Sequence, residues 1–157
     1  MLTLVEAAAF YRNSAVRCEA ELGALAGSVV MTASILARGY IGHPQPEWPP
    51  LSSATIEGFR HENGRWIMGK EALGYGGQES PLLRTGQLEQ SISFEVDGLV
   101  GTVGSTDKIA LYHEMGTPFA RYPMPPRPIF AKALMEAVGG VQELAEPIML
   151  SLLVPGI

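Results

Sequence analysis

His113 and Glu114 are adjacent in the chain, and an imidazole beside a carboxylate is a pair that can bind zinc or move protons. A zincin helix needs a second histidine three residues after the glutamate, where this chain has 116-Gly-Thr-Pro-118. The other histidines, His43 and His61, share no ligand spacing with His113. We therefore expect a structural histidine, bonded to the backbone where a helix meets a loop, and no catalytic residue, metal or cofactor.

Other side chains that could do chemistry also have structural explanations. No serine lies in a Gly-x-Ser-x-Gly turn, and Gly74–Gly77 lacks the Gly-Lys-Ser/Thr ending of a phosphate loop. Arg127, between two prolines, could contact DNA, but pairing with a carboxylate to fix a corner between loop and helix is favoured. Apolar residues in the same proline-rich region suit docking onto another chain, namely Met115, Phe119, Tyr122 and Met124.

Composition limits the classes of protein to consider. A chain of 157 residues is predicted to form one domain with its own core, and a single cysteine, Cys18, excludes an intrachain disulfide. The net charge of −5 argues against nucleic-acid binding through a general basic surface. We expect no secretory leader. The charge-free run Leu22–Ala37 is shorter than the roughly 20 residues of a membrane span, so no membrane partner is expected.

The elements that would position these residues begin with a long helix over 3–38, because this stretch has no proline and is rich in helix formers. Thr3 and Glu6 match a capping box. The second half, which includes Val29 and Val30, has almost no polar face, so we expect its own domain or a neighbouring subunit to cover it.

The middle of the chain predicts a short helix followed by a hairpin. The Thr85 hydroxyl is expected to cap a turn that begins at Gly86. Asp97-Gly98 predicts a type I′ turn between two strands. In that register Val96 faces Leu99, Phe94 faces Gly101 and Ile92 faces Val103, with the apolar side chains on one side and Gly101 leaving room for the Phe94 ring.

A loop over 39–50 is predicted to insert Trp48 into the edge of the core, and Ser52 or Ser53 to cap a short helix that ends at Phe59 or Glu62. The glycine-rich stretch Gly64–Gly77 is interpreted as a mobile surface segment.

The last third predicts two helices. A brief helix over Asp107–Met115 has Ile109, Tyr112 and Met115 at three-residue spacing and ends at Gly116. A C-terminal helix over 128–153 has Pro128 in its first turn and is interrupted at Gly139-Gly140 and Pro147. Its apolar end, which contains Leu150, requires a partner surface.

Five motifs occur in an order that resembles the phage virion morphogenesis family of Mu-like phages and is similar to the related tail-component or neck family of long-tailed phages. They cover about 48–138 and read Trp48-Pro-Pro-Leu, Leu82-Leu-Arg-Thr-Gly-Gln-Leu with Ser91-Ile92, Val103-Gly-Ser, Tyr112-His-Glu-Met-Gly-Thr and Pro125-Pro-Arg-Pro-Ile-Phe.

This resemblance implies an α+β fold, with a small antiparallel sheet and tight hairpin packed against the long N-terminal helix and the C-terminal helix. It implies a non-enzymatic tail-completion or neck protein, forming a ring, expected to be hexameric, at the head-proximal end of the tail. Its partners would be copies of itself, neighbouring neck and tail-tube proteins, and genomic DNA passing without sequence-specific binding. The protein would be assembled in the host cytoplasm and reside in the virion.

Residue roles follow from the same interpretation. Subunit or partner contacts are expected from Met115, Phe119, Tyr122, Met124, Val29, Val30 and Leu150, and structural roles from Trp48, Thr85, Gly86, Asp97, Gly98, His113, Gly116 and Arg127. Two alternatives stay open: a tail terminator or head-side adaptor ring of the same machine, and a small hydrolase that uses His113 and Glu114.

Overall fold

The computed structural model describes residues 3–77, 80–118, 123–141, 143, 145, 146 and 148. The chain has an α+β fold with a long N-terminal helix, a C-terminal helix and two small antiparallel sheets of two strands each. Its elements in order are α1 (Leu4–Tyr40), α2 (Ser53–Ile56), β1 (Gly58–Arg60), β2 (Trp66–Met68), α3 (Gln87–Gln90), β3 (Ile92–Asp97), β4 (Val100–Ser105), α4 (Lys108–Met115) and α5 (Phe130–Gly139). The predicted fold class is therefore confirmed.

The helix α1 begins with the predicted capping box. The Thr3 hydroxyl accepts a hydrogen bond from the Glu6 backbone N–H, and the Glu6 carboxylate accepts one from the Thr3 N–H. These two bonds satisfy backbone groups that have no partner within the helix. The helix continues to Tyr40, two residues beyond the predicted end, and Ile41 leaves it in an extended conformation.

Small side chains form the contact between α1 and α5. Ala33 and Ala37 of α1 and Ala133 and Ala137 of α5 are all buried. Helices whose facing side chains are alanines can approach closely, so many backbone and Cβ atoms come into contact. Larger core residues surround this contact, and they are Tyr40, Ile41, Trp48, Leu88, Ile92 and Ile129. The Trp48 ring packs edge-on against Tyr40, with 6.4 Å between ring centroids, as expected for a residue inserted from the loop.

The hairpin β3–β4 forms, but its predicted register is wrong by two residues. Ile92 pairs with Ser105, Phe94 with Val103 and Val96 with Gly101, so the two-residue turn is Gly98-Leu99 instead of Asp97-Gly98. Gly98 has a φ of 57°, as in a type II′ turn, which requires positive φ only at its first central residue. A shift of two residues preserves the alternation, so the same side chains still share a face.

Gly101 makes room for α1 and not for the Phe94 ring. A Cβ atom at Gly101 would lie 2.6 Å from Val30 Cγ1 and 3.1 Å from the Ala26 carbonyl oxygen. At the tip of the hairpin, the Gly98 carbonyl oxygen lies only 3.0 Å from the position of a Cβ at Gly23. Glycines on both elements therefore allow the hairpin to lie directly on α1.

The segment between α1 and α3 holds a strand pair that the sequence analysis missed. The helix α2 ends at Ile56, and Phe59 belongs to β1, which pairs with Trp66–Met68 of β2. The stretch interpreted as a mobile segment thus contains a strand. Ser52 caps α2, as predicted, by accepting a hydrogen bond from the Thr55 N–H.

The apolar spacing of α4 implied that Ile109, Tyr112 and Met115 face the core, and the structure shows the helix turned the other way. Ile109, Tyr112 and Met115 are exposed, and the buried residue of this helix is Ala110. The Asp107 side chain caps the helix by accepting a hydrogen bond from the Ile109 N–H.

The helix α5 starts later and ends earlier than predicted. It begins at Phe130, so Pro128 precedes it, and Gly140 caps it directly after Gly139. Positions 141, 143, 145, 146 and 148 are also helical, and the remainder of the predicted 128–153 helix, including Pro147 and Leu150, lies outside the described residues.

We predict that Gly101→Ala lowers the free energy of unfolding by about 1–3 kcal/mol, because the new methyl group must displace Val30 or the α1 backbone. The matched control is Gly104→Ala in the same strand, where a Cβ meets no atom within 4 Å. Urea unfolding monitored by circular dichroism measures both. Equal stability of the two variants would contradict the close contact between hairpin and α1.

Candidate functional site: a buried corner and an exposed helix arm

Glu114 supplies the cap of α5 from a different helix. Its carboxylate accepts hydrogen bonds from the backbone N–H groups of Ile129, Phe130 and Ala131, at 2.6, 3.0 and 2.9 Å. These are the groups at a helix start that have no intrahelical partner, and a negative charge there also complements the helix dipole. Ile129, the residue at the cap position, offers no side-chain hydrogen bond of its own. Glu114 therefore joins α4 to α5.

Arg127 holds the same corner of the fold, but its partners are not a carboxylate. Its Nη2 donates to the carbonyl oxygens of Pro49 and Pro50, at 3.0 and 3.3 Å, and its backbone N–H donates to the His113 carbonyl at 2.7 Å. The side chain is buried. The predicted carboxylate pairing is thus wrong, because the charge-assisted hydrogen bonds of the guanidinium go to two backbone carbonyls.

His113 lies half-buried beside this arginine. Its Nδ1 has no hydrogen-bond partner within the described part of the chain, whereas its backbone carbonyl accepts the Arg127 N–H. Burial lowers the pKa of His113 to about 4, and the positive charge of Arg127 lowers it further in the same direction. The imidazole is therefore neutral near pH 7. We call His113, Glu114 and Arg127, with the carbonyls of Pro49 and Pro50, the corner.

A pocket of about 460 Å³ opens beside the corner. It is lined by residues of α3, α4 and the preceding loops, namely Ile41, Tyr75, Leu82, Arg84, Thr85, Gly86, Gln87, Leu88, Asp107, Ile109 and His113. Glu114 does not line it, since its carboxylate is directed at α5. Of the two residues suggested for a hydrolase, His113 therefore lines the pocket, whereas Glu114 contacts α5. In the described ranges, no group of three or more His, Cys, Asp or Glu residues could hold a metal ion.

Gly116 ends α4 and starts the proline loop. It has a φ of 71°, and a Cβ there would lie 2.9 Å from the Met124 carbonyl oxygen. The loop is closed at its base by two hydrogen bonds, from the Thr117 N–H to the Met124 carbonyl and from the Met124 N–H to the Thr117 hydroxyl. A glycine is required because an L side chain would be strained and would collide with the returning chain.

A polar cluster ties α5 to the end of α1. Lys132 Nζ lies 2.5 Å from Glu47 and 2.9 Å from Glu136, and the Tyr40 hydroxyl donates to Glu136 at 2.6 Å. Burial, followed by the hydrogen bond to Glu136, raises the pKa of Tyr40 to about 12. The hydrogen bond from Lys132 is the main cause that lowers the pKa of Glu47. These contacts fix the position of α5 relative to the end of α1.

The first half of α1 exposes several large apolar side chains. Among residues 4–22 no described side chain is buried; Leu4 is 91%, Tyr11 71% and Val16 66% exposed. Among the α1 residues whose burial is described, every buried side chain lies at Val30 or beyond. Residues 4–22 would measure about 28 Å at 1.5 Å per residue. We call this segment the arm.

The helix α1 is long and apolar enough to cross a membrane by length and composition alone. An 18-residue window in it has a mean hydropathy of 1.6, and 22% of that window is buried. The core helix of a soluble protein and a signal sequence meet the same criterion, so the expectation of no membrane partner stays a prediction.

The predicted contact residues are scattered over the structure. Met115 is exposed at the end of α4, Met124 and Val29 are half-buried, and Val30 belongs to the buried face of α1. Phe119, Tyr122 and Leu150 lie outside the described residues.

Of the predicted structural residues, Thr85 accepts a 3.4 Å hydrogen bond from the Gln87 N–H, and Gly86 precedes α3 with a φ of 77°. Asp97 ends β3 opposite Val100, and Gly98 follows as the first residue of the hairpin turn. The role of Glu114 was missed, because nothing in the local sequence around α5 identifies a cap 15 residues away.

No protein-family model, curated protein or solved structure matches the chain.

We predict that Glu114→Ala lowers the free energy of unfolding by about 2 kcal/mol, because three backbone N–H groups lose a charged acceptor. Glu95→Ala, on the exposed face of β3, serves as the control and should change stability by less than about 0.5 kcal/mol. Chemical denaturation at pH 7 measures both. Equal, small effects would show that the cap contributes little.

We predict that stability falls as the pH is lowered from about 6.5 to 4. The unfolded His113 binds a proton below its ordinary pKa of 6.5, while the folded ring resists protonation until about pH 4. The unfolded state therefore binds more protons in this window, and stability is fully present only above it. The loss from this group is at most about 3 kcal/mol.

The measurement is the denaturation midpoint as a function of pH for the native chain and for His113→Gln. The variant should lose most of the slope between pH 6.5 and 4, whereas His43→Gln, at an exposed position, should keep it. An unchanged slope in His113→Gln would contradict the assignment.

Proposed function

We propose that the chain is a structural subunit of a tailed-phage virion. In this proposal it is a tail-completion or neck protein that forms a ring at the head-proximal end of the tail, joins tail to head and surrounds the DNA path. The order of the five motifs supports this proposal, and so does the α+β architecture.

The observation that carries the proposal is the exposure of the arm. Residues 4–22 form a 19-residue helical segment in which several large apolar side chains are exposed to water. This exposure is unfavourable unless a partner covers the side chains. Each fully covered Leu, Val or Tyr-sized side chain contributes about 1.5–3 kcal/mol of association free energy before the entropic costs of binding. A subunit that finds its partners during assembly accounts for this surface.

A second apolar face supports ring formation in particular. The outer side of α4 exposes Ile109, Leu111, Tyr112 and Met115. This face lies on an element separate from the arm, and a ring requires at least two contact surfaces on each subunit. A single self-complementary patch would give only a pair.

The charge of the chain suits a subunit that surrounds DNA without binding it. A net charge of −5 repels phosphates, so a bore lined by acidic side chains would let a genome pass. Residence in the virion after assembly in the host cytoplasm, and a stoichiometry of six, follow from the family resemblance and belong to the same proposal.

Tail terminator and head-side adaptor are alternative positions for the same kind of ring. A hydrolase that uses His113 and Glu114 is the rival of a different class. The engagement of the Glu114 carboxylate by three backbone N–H groups favours the structural role for that residue, because a general base needs a free lone pair directed at the substrate.

We predict that the purified chain forms rings, seen by negative-stain imaging, with a mass by light scattering that is a multiple of 16.8 kDa. Tyr11→Glu should reduce the assembled fraction at least tenfold, because it places a charge on the apolar side of the arm. Asn13→Glu adds the same charge on another side of the helix and is the control. A monomer at all concentrations would contradict the proposal.

The virion role is tested in the phage that encodes the chain. An amber codon at Trp48 should yield filled heads and separate tails in the lysate, and the native gene supplied in trans should restore joined particles. Normal particles from the amber mutant, with the protein absent from them by mass spectrometry, would overturn it.

A further inference from the structure

The arm carries a heptad pattern of apolar and small residues. From Leu4 the positions follow at alternating intervals of four and three, through Leu4, Ala8, Tyr11, Ala15, Cys18 and Leu22, and the spacing continues to Leu25 and Val29. Apolar residues at alternating intervals of three and four form a narrow stripe along a helix, which we call the seam, and this is the spacing at which two helices pack against each other. Alanines at alternate seam positions permit a close approach of the second helix.

Two charges flank the seam at equivalent positions. Arg12 and Glu19 each follow a seam residue, Tyr11 and Cys18, and are seven residues apart. Their neighbours three and four residues away are all apolar or glycine, so no intrahelical ion pair is possible for either. The ion pairs that the structure shows in its described ranges do not involve them. Both side chains are exposed and available to a partner.

We propose that the arm of one copy pairs with the arm of a second copy in antiparallel orientation. In this pair Ala15 faces the second copy's Cys18, Tyr11 faces the second copy's Leu22, and the two-fold axis passes near Val16 and Arg17. The two central layers of the seam then hold the small residues Ala15 and Cys18, and the layer on either side of them holds Tyr11 and Leu22.

Charge complementarity selects this arrangement. In an antiparallel pair of helices, the residue that follows Tyr11 or Cys18 lies beside the residue at the equivalent heptad position of the other helix. In the proposed register Arg12 meets Glu19 of the second copy, twice per pair. Sliding one helix by a heptad brings Arg12 beside Arg12. A parallel pair would place Arg12 opposite Ala7 and Glu19 opposite Ser14, and would leave both charges unpaired.

The body of the fold leaves this segment free. At the tip of the hairpin, Gly98 lies beside Gly23 of α1, and the paired segment 11–22 ends just before that point. The two bodies would therefore lie at opposite ends of the paired helices. The contact is isologous, so it joins two copies. It does not depend on which other faces of the subunit would close a ring. The inference rests on the proposed self-association, but not on residence in a virion.

Disulfide trapping tests the register, because Cys18 is the only cysteine. One protein is the native chain, and the other is Ala15→Cys/Cys18→Ser. A disulfide needs Cα atoms within about 7 Å, a distance met only by residues in the same layer. After mild oxidation, non-reducing electrophoresis should show a cross-linked dimer in the mixture of the two proteins, at least fivefold more than in either alone.

Charge reversal tests the flanking pairs. Arg12→Glu and Glu19→Arg should each raise the dissociation constant of the pair about tenfold, since two attractive contacts become repulsive. The double variant should recover affinity to within about threefold of the native chain. Arg17→Glu, near the axis but off the seam, is the matched control for the change in net charge.

The outcomes separate this inference from the proposed function. Strong cross-linking of the native chain alone would indicate parallel helices and overturn the inference. Oligomers by light scattering without cross-links in the mixture would place self-association on another face, again overturning the inference while the proposed function stands. A monomer at every concentration would overturn both.

Discussion

The packing of the second half of α1 against both α5 and the β3–β4 hairpin is the contact on which the structure depends. Ala33 and Ala37 allow α5 to approach α1 closely. Gly23 and Gly27 of α1, together with Gly101 of β4, allow the hairpin to do the same. Two elements that are far apart in sequence thus both pack against small residues of α1. Arg38, which donates a 2.6 Å hydrogen bond to the Ile92 carbonyl, fixes where the hairpin begins.

The corner extends this arrangement to the rest of the chain. Glu114 and Arg127 replace local caps and turns by contacts between segments, and the Glu114 cap depends on α4 directing this carboxylate toward α5. This inversion explains why α4 exposes Tyr112 and Met115: the inner side of the helix is needed for the α5 cap. The exposed apolar side of α4 is then a consequence of how α4 is joined to α5.

Local patterns predicted what local interactions determine. The capping box at Thr3, the long helix, the Ser52 cap and the loop that inserts Trp48 all follow from neighbours within four residues or from proline and glycine placement. The hairpin register failed because Asp97-Gly98 and Gly98-Leu99 are both acceptable turns, and contact with α1 chooses between them. The cap by Glu114 and the carbonyl partners of Arg127 could not be predicted, since they join residues that meet only in the folded chain.

The helix α1 has a second half whose side chains pack in its own fold and a first half whose described side chains are exposed, which we propose another copy covers. Amide hydrogen exchange of the purified protein, followed by mass spectrometry over a dilution series, tests this division most directly. Residues 23–40 should be protected at every concentration, and residues 4–22 only where light scattering shows association, with rapid exchange on dilution. Equal protection of both halves in a dilute monomer would contradict the account.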